Sequence, residues 1–525
     1  TQGVSSAASD VYKRQIVNHR LFDITTISNL LSYQPIDELM SFWLYHIDHF
    51  CYQSFRPNSL GLLYLLIFLT TLPVEAGPRS EFSQTSLDKY AHQTDESFSY
   101  DVEETEEYEN YFIHKIKMIS QTYLSAQEVN RPAWTHWLKV IEPKELKVNS
   151  SLLVIGAGDT DDPPPISSNQ LIELALVSGS IVSELSAVPN QPLTFNDENF
   201  ERTEDGIIAY TWKKFFLTGD PKWPARMAMT KSAIAAMDVI QDIFNKPQVK
   251  EFVITGASKR GWATWTTAAV DSRVKAIMPL VIDMLNIKPS FEHHWEVYGF
   301  WAPAIQDYVD LKVMDWWGSP EADELFKLVD PFSYKNRYEI PKYIINAAGD
   351  EFFIPTSSQF YYDELPGEKH LRYVPNVGHG LNGTYILEPL FSFYLSIINN
   401  QPRPSYKCKF LDDGQIQFES KTVPDDIKIW WADNKNNRDF RIDQIGKTWQ
   451  AKTMTARSDG SYVSSIKRPK IGWRAYFIEA TFSQSSELPM IVTSGVRVAP
   501  DSLPYEYKSP VNPKGFLTQK GTRNH

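Results

Sequence analysis

The sequence predicts an α/β fold, a mostly parallel sheet covered by helices on both faces, joined to a smaller β-sandwich-like domain. Three observations carry this reading. From about residue 148 to 400, short apolar or β-branched runs alternate with helical stretches, the pattern of a parallel sheet built by crossover connections. After Pro402-Arg403-Pro404 the helical stretches stop, and strand-like segments are separated by turn signals instead. A chain of 525 residues, 42% hydrophobic and 13% aromatic, has room for about two to four domains and a large core, which excludes a disordered or fibrous protein.

Residues 1–76 read as a leader. Ser5–Gln15 (SSAASDVYKRQ) has the character of a translated cloning remnant, so 1–39 are set apart as artefactual and Met40 is the expected native start. From Leu60 to Leu72 runs an apolar block, LGLLYLLIFLTTL, preceded by Arg56 and followed by Pro73-Val74-Glu75-Ala76. A basic flank, an apolar core of about a dozen residues and a Val-x-Ala cleavage pattern describe a secretory signal peptide. The block falls short of the roughly 20 residues of a spanning helix, so export is expected and a stable membrane span is not. Cleavage after Ala76 removes Cys51 and leaves Cys408 as the one thiol, so no internal disulfide is expected. Asn149-Ser150-Ser151 and Asn382-Gly383-Thr384 are N-glycosylation triplets, consistent with an exported glycoprotein. A formal charge of −12 argues against a general nucleic-acid binder, because phosphate backbones reward a basic patch.

The first domain is expected over 77–402. Its acidic stretch DVEETEEYEN at 101–110 reads as a solvated face. Strands are expected at Ser151–Ile155, Glu251–Thr255, Val274–Ile282, Tyr343–Ala347 and Leu371–Val374, with helices at 204–218, from about 224 to 245, and after Ser258. Residues 284–340, rich in Trp and His (FEHHWEVYGFW at 291–301, DWWGSP at 315–320), read as an inserted lid or a packed helical layer. The β-sandwich-like domain is expected over 403–505, with strands at Lys428–Ala432, Gly472–Phe482 and Met490–Val498. Residues 506–525 read as a loose tail.

In sheets of this kind, ligands bind beyond the carboxyl ends of the strands. The strongest local signal lies at such an end, in Thr255-Gly256-Ala257-Ser258-Lys259-Arg260-Gly261-Trp262, which follows an apolar strand and opens a helix. Gly256 and Ala257 permit the tight turn that lifts a serine hydroxyl above the sheet, although Arg260 stands where G-x-S-x-G has its second glycine. A serine nucleophile needs a base and an acid that orients the base. His379, in the glycine-flanked loop Pro375–Gly380, is the one histidine just past a late strand. Asp350 follows the strand before it, and Asp283, at another strand end, is the alternative acid. Ser258, Asp350 and His379 thus form the candidate triad in the chain order Ser, acid, His. The backbone N–H groups of Lys259 and of Ala157, in the loop after Ser151–Ile155, are the candidate oxyanion donors. Trp262, His294, Trp295 and Trp301 are the candidate pocket residues.

Two competing chemistries fit poorly. Asp161 replaces the last glycine of a dinucleotide-binding G-x-G-x-x-G, and Asp159 and Asp162 would repel a pyrophosphate. His293 and His294 are adjacent and diverge on a helix, and no H-E-x-x-H is present, so no zinc site is expected. No cofactor is expected.

The segments GSIVSELSAVPNQPLTF (179–195), EDGIIAYTWKKFF (204–216), WPARMAMTKSAIAAMD (223–238), TGASKRGWATW (255–265), DPFSYKNRY (330–338), INAAGDEFFIP (345–355) and YVPNVGHGL (373–381) are similar to those of a known family. The chain resembles the PhoPQ-activated pathogenicity-related proteins, which include autocrine proliferation repressors of social amoebae. The resemblance implies an α/β-hydrolase domain with a C-terminal β domain, and it carries the SKRGW motif with its Arg260. It also implies two functional alternatives: a secreted hydrolase acting on a small-molecule or peptide substrate, and a secreted signal that binds a cell-surface receptor. The acidic loop Gly156–Asp162 departs from the glycine-rich stretch that the resemblance implies at the second oxyanion donor.

Overall fold

A computed structural model describes residues 79, 81–244, 249–483 and 488–510. The proposed signal peptide, Met40 and Cys51 lie outside the described residues.

The centre of the molecule is a nine-stranded sheet in the order β1-β2-β3-β5-β4-β6-β7-β8-β9. Its strands are β1 (Ser99–Glu107), β2 (Tyr111–Thr122), β3 (Ala133–Pro143), β4 (Ser150–Ile155), β5 (Val182–Leu185), β6 (Glu251–Ala257), β7 (Val274–Leu280), β8 (Lys342–Ala347) and β9 (Lys369–Val374). From β5 to β9 all neighbours are parallel, while β1, β2 and β3 add an antiparallel meander at one edge. β4, β6 and β8 are short apolar runs, almost wholly buried, as strands covered on both faces must be. β1 is almost wholly exposed, so the acidic stretch there is a charged edge strand that discourages further pairing.

The helices follow from local signals. Glu204–Thr218 opens with Glu204 and Asp205, whose charges suit a helix N-terminus, and stops at Gly219 in the left-handed conformation (φ 71°). Ala225–Ile243 is rich in alanine, and its small side chains let it lie against Lys259–Val270. Pro320–Val329 begins with Ser319 accepting from the Ala322 N–H and with proline in the first turn. Among the described residues, no helix is long and apolar enough to cross a membrane.

The insertion leaves the carboxyl end of β7 and contains the helices Ile287–Tyr298, Gln306–Asp310 and Pro320–Val329. It is a packed helical layer: Leu285, Ile287, Phe291, Tyr308, Val313 and Trp317 are buried in the main apolar core.

Beyond residue 403 the chain forms two antiparallel sheets. One is β10 (Tyr406–Phe410), β11 (Ile416–Ser420) and β14 (Tyr462–Val463). The other is β12 (Asp426–Asn434), β13 (Gln450–Thr453), β15 (Trp473–Phe482), β16 (Met490–Thr493) and β17 (Arg497–Ala499), with β15 at its centre. Phe418, Ile429 and Ile478 share an apolar cluster with Tyr343 of β8 and Phe393, so the core runs unbroken from the large sheet into this region. The last residue before the expected tail is docked: the Tyr505 N–H donates to the Glu296 carbonyl (3.1 Å). Cys408 is a free, half-buried thiol, and burial pushes its pKa up to about 12. Asn149 and Asn382 are both exposed.

Candidate active site

The sheet order reverses at β4: the chain passes from β4 out to β5 on one side, then to β6 on the other. Such a switch point opens a crevice at the carboxyl ends of the two central strands. Ile155 of β4 pairs with Gly256 of β6, so Ala157 and Ser258 stand two residues beyond a shared register.

Ser258 is held at φ 56°, ψ −121°, a backbone conformation that a residue with a Cβ seldom adopts. The turn is tight enough to dictate its flanking residues. A Cβ on Gly256 would lie 2.7 Å from the Arg260 carbonyl carbon and oxygen, and one on Gly261 would lie 2.9 Å from the Gly256 oxygen. The glycine of the usual motif is therefore displaced by one residue, to Gly261, and Arg260 is free to point elsewhere. Its guanidinium donates to both carboxylate oxygens of Glu204, at 2.8 and 2.6 Å. The Lys259 ammonium pairs with Asp205 at 2.5 Å and with Glu204 at 3.2 Å. Burial alone would raise the Glu204 carboxyl, but Arg260 and Lys259 hold it far below the usual carboxylate range. These ion pairs clamp the first turn of Lys259–Val270 onto Glu204–Thr218. Lys259 is the first residue of its helix, so its N–H has no intrahelical acceptor.

β8 and β9, two and three strands along from β6, bring up the other two residues. Ala257 pairs with Leu280 of β7, Leu280 with Ile345 of β8, and Ala347 of β8 with Val374 of β9. Asp350 and His379 follow β8 and β9 at the same edge. They are in contact: His379 Nδ1 lies 2.9 Å from Asp350 Oδ2 and 3.1 Å from Oδ1. Asp350 is 2% exposed, and its Oδ1 also accepts from the N–H groups of Phe352 (2.8 Å) and Phe353 (3.2 Å), which fixes the carboxylate. The His379 backbone N–H donates to Glu351 Oε2 at 2.7 Å, and the Phe352 ring packs 4.4 Å from the imidazole. No hydrogen bond joins the Ser258 hydroxyl to the His379 ring among the described residues; catalytic bonds are often long before substrate arrives.

Asp283, the alternative acid, is engaged elsewhere. Its carboxylate accepts from the Tyr361 hydroxyl (2.7 Å) and the Tyr373 hydroxyl (2.5 Å). Burial pushes it up to about 7, the two tyrosines oppose that rise, and the Asp350 charge adds to it. His379 therefore has Asp350, not Asp283, as its carboxylate partner.

Two of the expected pocket residues are placed differently. Trp262 is 1% exposed, donates its indole N–H to the Val329 carbonyl (2.6 Å) and lies under the Arg226 guanidinium, so it is a core residue. Its partners belong to the surrounding helices: Val329 ends Pro320–Val329, Arg226 lies in Ala225–Ile243, and the Trp212 ring of Glu204–Thr218 has its centroid 6.1 Å away. His294 is 3% exposed and accepts the Ala302 N–H at 3.1 Å; burial first, then Arg441 and His293, push its imidazole down to about 3. It is a neutral structural histidine among aromatic rings. Trp295 and Trp301 are half-buried, with ring centroids 5.1 Å apart. The acidic loop after β4 has a structural reason: the Asp159 N–H donates to Asp162 Oδ2 (2.8 Å), around Gly158 at φ 112°. Among the described residues, no group of three or more His, Cys, Asp and Glu side chains is arranged to hold a metal ion.

The sequence reading missed Glu204, Asp205, Glu351 and Phe352. The first pair was visible only as an acidic start to a helix, and the second as two residues beside Asp350.

The family model of the PhoPQ-activated pathogenicity-related proteins matches residues 87–441, from before β1 into the C-terminal sheets. The chain belongs to this family. Autocrine proliferation repressor protein A of Dictyostelium discoideum is 37% identical over 468 residues, covering 83% of this chain and 94% of that protein. Among solved structures, acetyl xylan esterase 1 from a Thermoanaerobacterium species is 14% identical, with a TM-score of 0.44 over 59% of this chain and 92% of that one. An acylaminoacyl peptidase from Pyrococcus horikoshii is 11% identical, with a TM-score of 0.37 over 59% of this chain and 51% of that one. The sheet order of this family member is that of an α/β fold with a C-terminal antiparallel region.

Proposed function

We propose that the protein is a secreted serine hydrolase that cleaves an ester or amide bond, with Ser258 as nucleophile, His379 as base and Asp350 as the acid that orients it. The observation that carries this reading is the 2.9 Å contact between His379 Nδ1 and Asp350, at the sheet edge where the strained Ser258 turn stands.

The steps follow from that arrangement. His379 Nε2 takes the proton from Ser258 Oγ as Oγ attacks the carbonyl carbon, while Asp350 holds the Nδ1–H and stabilises the imidazolium. The carbonyl oxygen becomes an oxyanion, received by the N–H groups of Lys259 and Ala157. Collapse breaks the bond to the leaving group, which takes its proton from His379. Water, activated by the same histidine, then releases the acyl group and restores the serine.

A 4-nitrophenyl acetate and 4-nitroanilide series tests the reading and separates ester from amide preference. Turnover that disappears in both Ser258→Ala and His379→Ala is expected; turnover equal to wild type in either variant contradicts it. Export is tested by the N-terminus of the protein recovered from culture medium, expected to follow Ala76.

The 37% identity to a protein named as a proliferation repressor favours a second reading, a secreted signal that acts through a receptor. A growth-inhibition assay with folded Ser258→Ala separates the two: full inhibition by the variant supports signalling by binding, and its loss supports catalysis.

A further inference from the structure

Residues 438–449, in the connection between β12 and β13, leave the C-terminal sheet and lie against the loops that carry both Asp350 and His379. The Ile442 N–H donates to the carbonyl of Gly349, the residue before Asp350, at 2.8 Å. A Cβ on Gly349 would stand 2.8 Å from the Val377 oxygen and 3.2 Å from Ile442, so three chain segments meet there with no space to spare. The Gly349 N–H in turn donates to the Val377 carbonyl (3.1 Å), which ties the acid loop to the base loop.

Three residues before His379, Asn376 makes the second tie. Its Nδ2 donates to the Trp449 carbonyl at 3.0 Å and its Oδ1 accepts the Trp449 N–H at 2.9 Å, as one strand pairs with another. Asn376 sits at φ 58°, a conformation that asparagine tolerates better than most residues. Trp449 is a firm anchor, since its ring is buried with its centroid 5.2 Å from that of Phe477 in β15. The same connection reaches the insertion, where the Arg441 guanidinium, paired with Asp439, lies 5.1 Å from the Tyr298 ring. One loop of the C-terminal region thus touches the acid loop, the base loop and the helical layer.

We propose that Asn376 is a positioning residue: through Trp449 it uses the C-terminal β region to hold the His379 loop in register with Asp350. The kinetic part of this inference rests on the serine-hydrolase reading; the placement of His379 does not.

The test uses Asn376→Gly, which suits a positive φ and removes both hydrogen bonds, and Asn376→Asp, which keeps the acceptor for the Trp449 N–H. The control is Tyr476→Phe, which removes a hydroxyl donating to the Gly414 carbonyl in the same region, away from 438–449. The first readout is the rate at which diethyl pyrocarbonate modifies His379, followed by peptide mass spectrometry in the full chain. The second is kcat and KM on 4-nitrophenyl acetate, and the third is Tm. Asn376→Gly is expected to expose the ring to severalfold faster modification. It is also expected to lower kcat by about tenfold with KM within about twofold, since only the geometry of the reacting groups is disturbed. Asn376→Asp should fall between, and Tyr476→Phe should change Tm alone. A folded Asn376→Gly with wild-type modification rate and kcat overturns the proposal, as does an equal effect in the control. If the wild-type chain hydrolyses neither the ester nor the anilides, the hydrolase reading fails while the modification rate still decides the role of Asn376.

Discussion

Arg260 donates N–H groups from its two terminal nitrogens to the two carboxylate oxygens of Glu204, joining the helix after the Ser258 turn to the helix that begins at Glu204. The side chains are 7% and 18% exposed, so neither has free access to water. Removing one member takes the two-pronged partner from the other buried charge, and Glu204 then keeps only the longer 3.2 Å ion pair with Lys259. Glu204→Gln or Arg260→Gln is therefore expected to cost about 3–5 kcal/mol in urea unfolding. The double variant should cost clearly less than the sum, because both single variants lose the same interaction. Additive losses would show that the pair is not coupled.

The two buried aspartates at the site have separate duties, and activity should sort them. Asp350→Asn removes the acceptor that holds the His379 tautomer and is expected to lower kcat by about 10⁴-fold. Asp283→Asn disturbs a network of two tyrosine hydroxyls and should leave kcat within about tenfold, the scale of one ordinary hydrogen bond. The reverse ranking would give the acid role to Asp283.

Stability should report on Asp283 as well. Its carboxyl titrates at about 7 in the fold against an ordinary value of 3.8, because burial disfavours the charge. The folded state thus binds this proton more tightly than the unfolded state does. The contribution is complete below the unfolded value and is lost as pH rises through the folded one. An asparagine has no such proton. The Tm of Asp283→Asn relative to wild type is therefore expected to rise between about pH 5 and about pH 8. A difference that stays flat or falls contradicts the assignment.

Gly378 tests how closely the His379 loop is fitted. A Cβ there would stand 2.4 Å from Glu351 Oε1, so alanine must push aside the carboxylate that receives the His379 N–H. Gly378→Ala is expected to lower kcat by about 10²-fold, the cost of a displacement on the order of 1 Å, with a small change in Tm. A fully active variant would show that the Glu351 contact is dispensable.

Much of this was legible because the site lies where the sequence is least ambiguous. Ser258, Asp350 and His379 each lie a few residues past a strand and close to glycine, and the helix at 204–218 is bounded by Glu204 and Gly219 as expected. What escaped has physical causes. β1 has an almost fully exposed pattern and therefore no alternation to detect, and β5 has only four residues. Met490–Val498 reads as one strand, but the chain breaks at Ser494-Gly495 into β16 and β17. Trp262 follows the SKRG motif closely enough to suggest a pocket wall, yet which way a helical side chain points depends on packing partners distant in sequence. The partners of Lys259 and Arg260 lie 54 and 56 residues away, and no local pattern announces them.

The central claim is that Ser258 is a nucleophile activated by His379 and Asp350. A fluorophosphonate probe, which forms a covalent bond to activated serines with loss of fluoride, tests it most directly in the intact chain. Labelling of the wild-type protein at the peptide containing Ser258 is expected, with none in Ser258→Ala and strongly slowed labelling in His379→Ala. A wild-type protein that takes no label, or labelling that persists in Ser258→Ala, would contradict the claim.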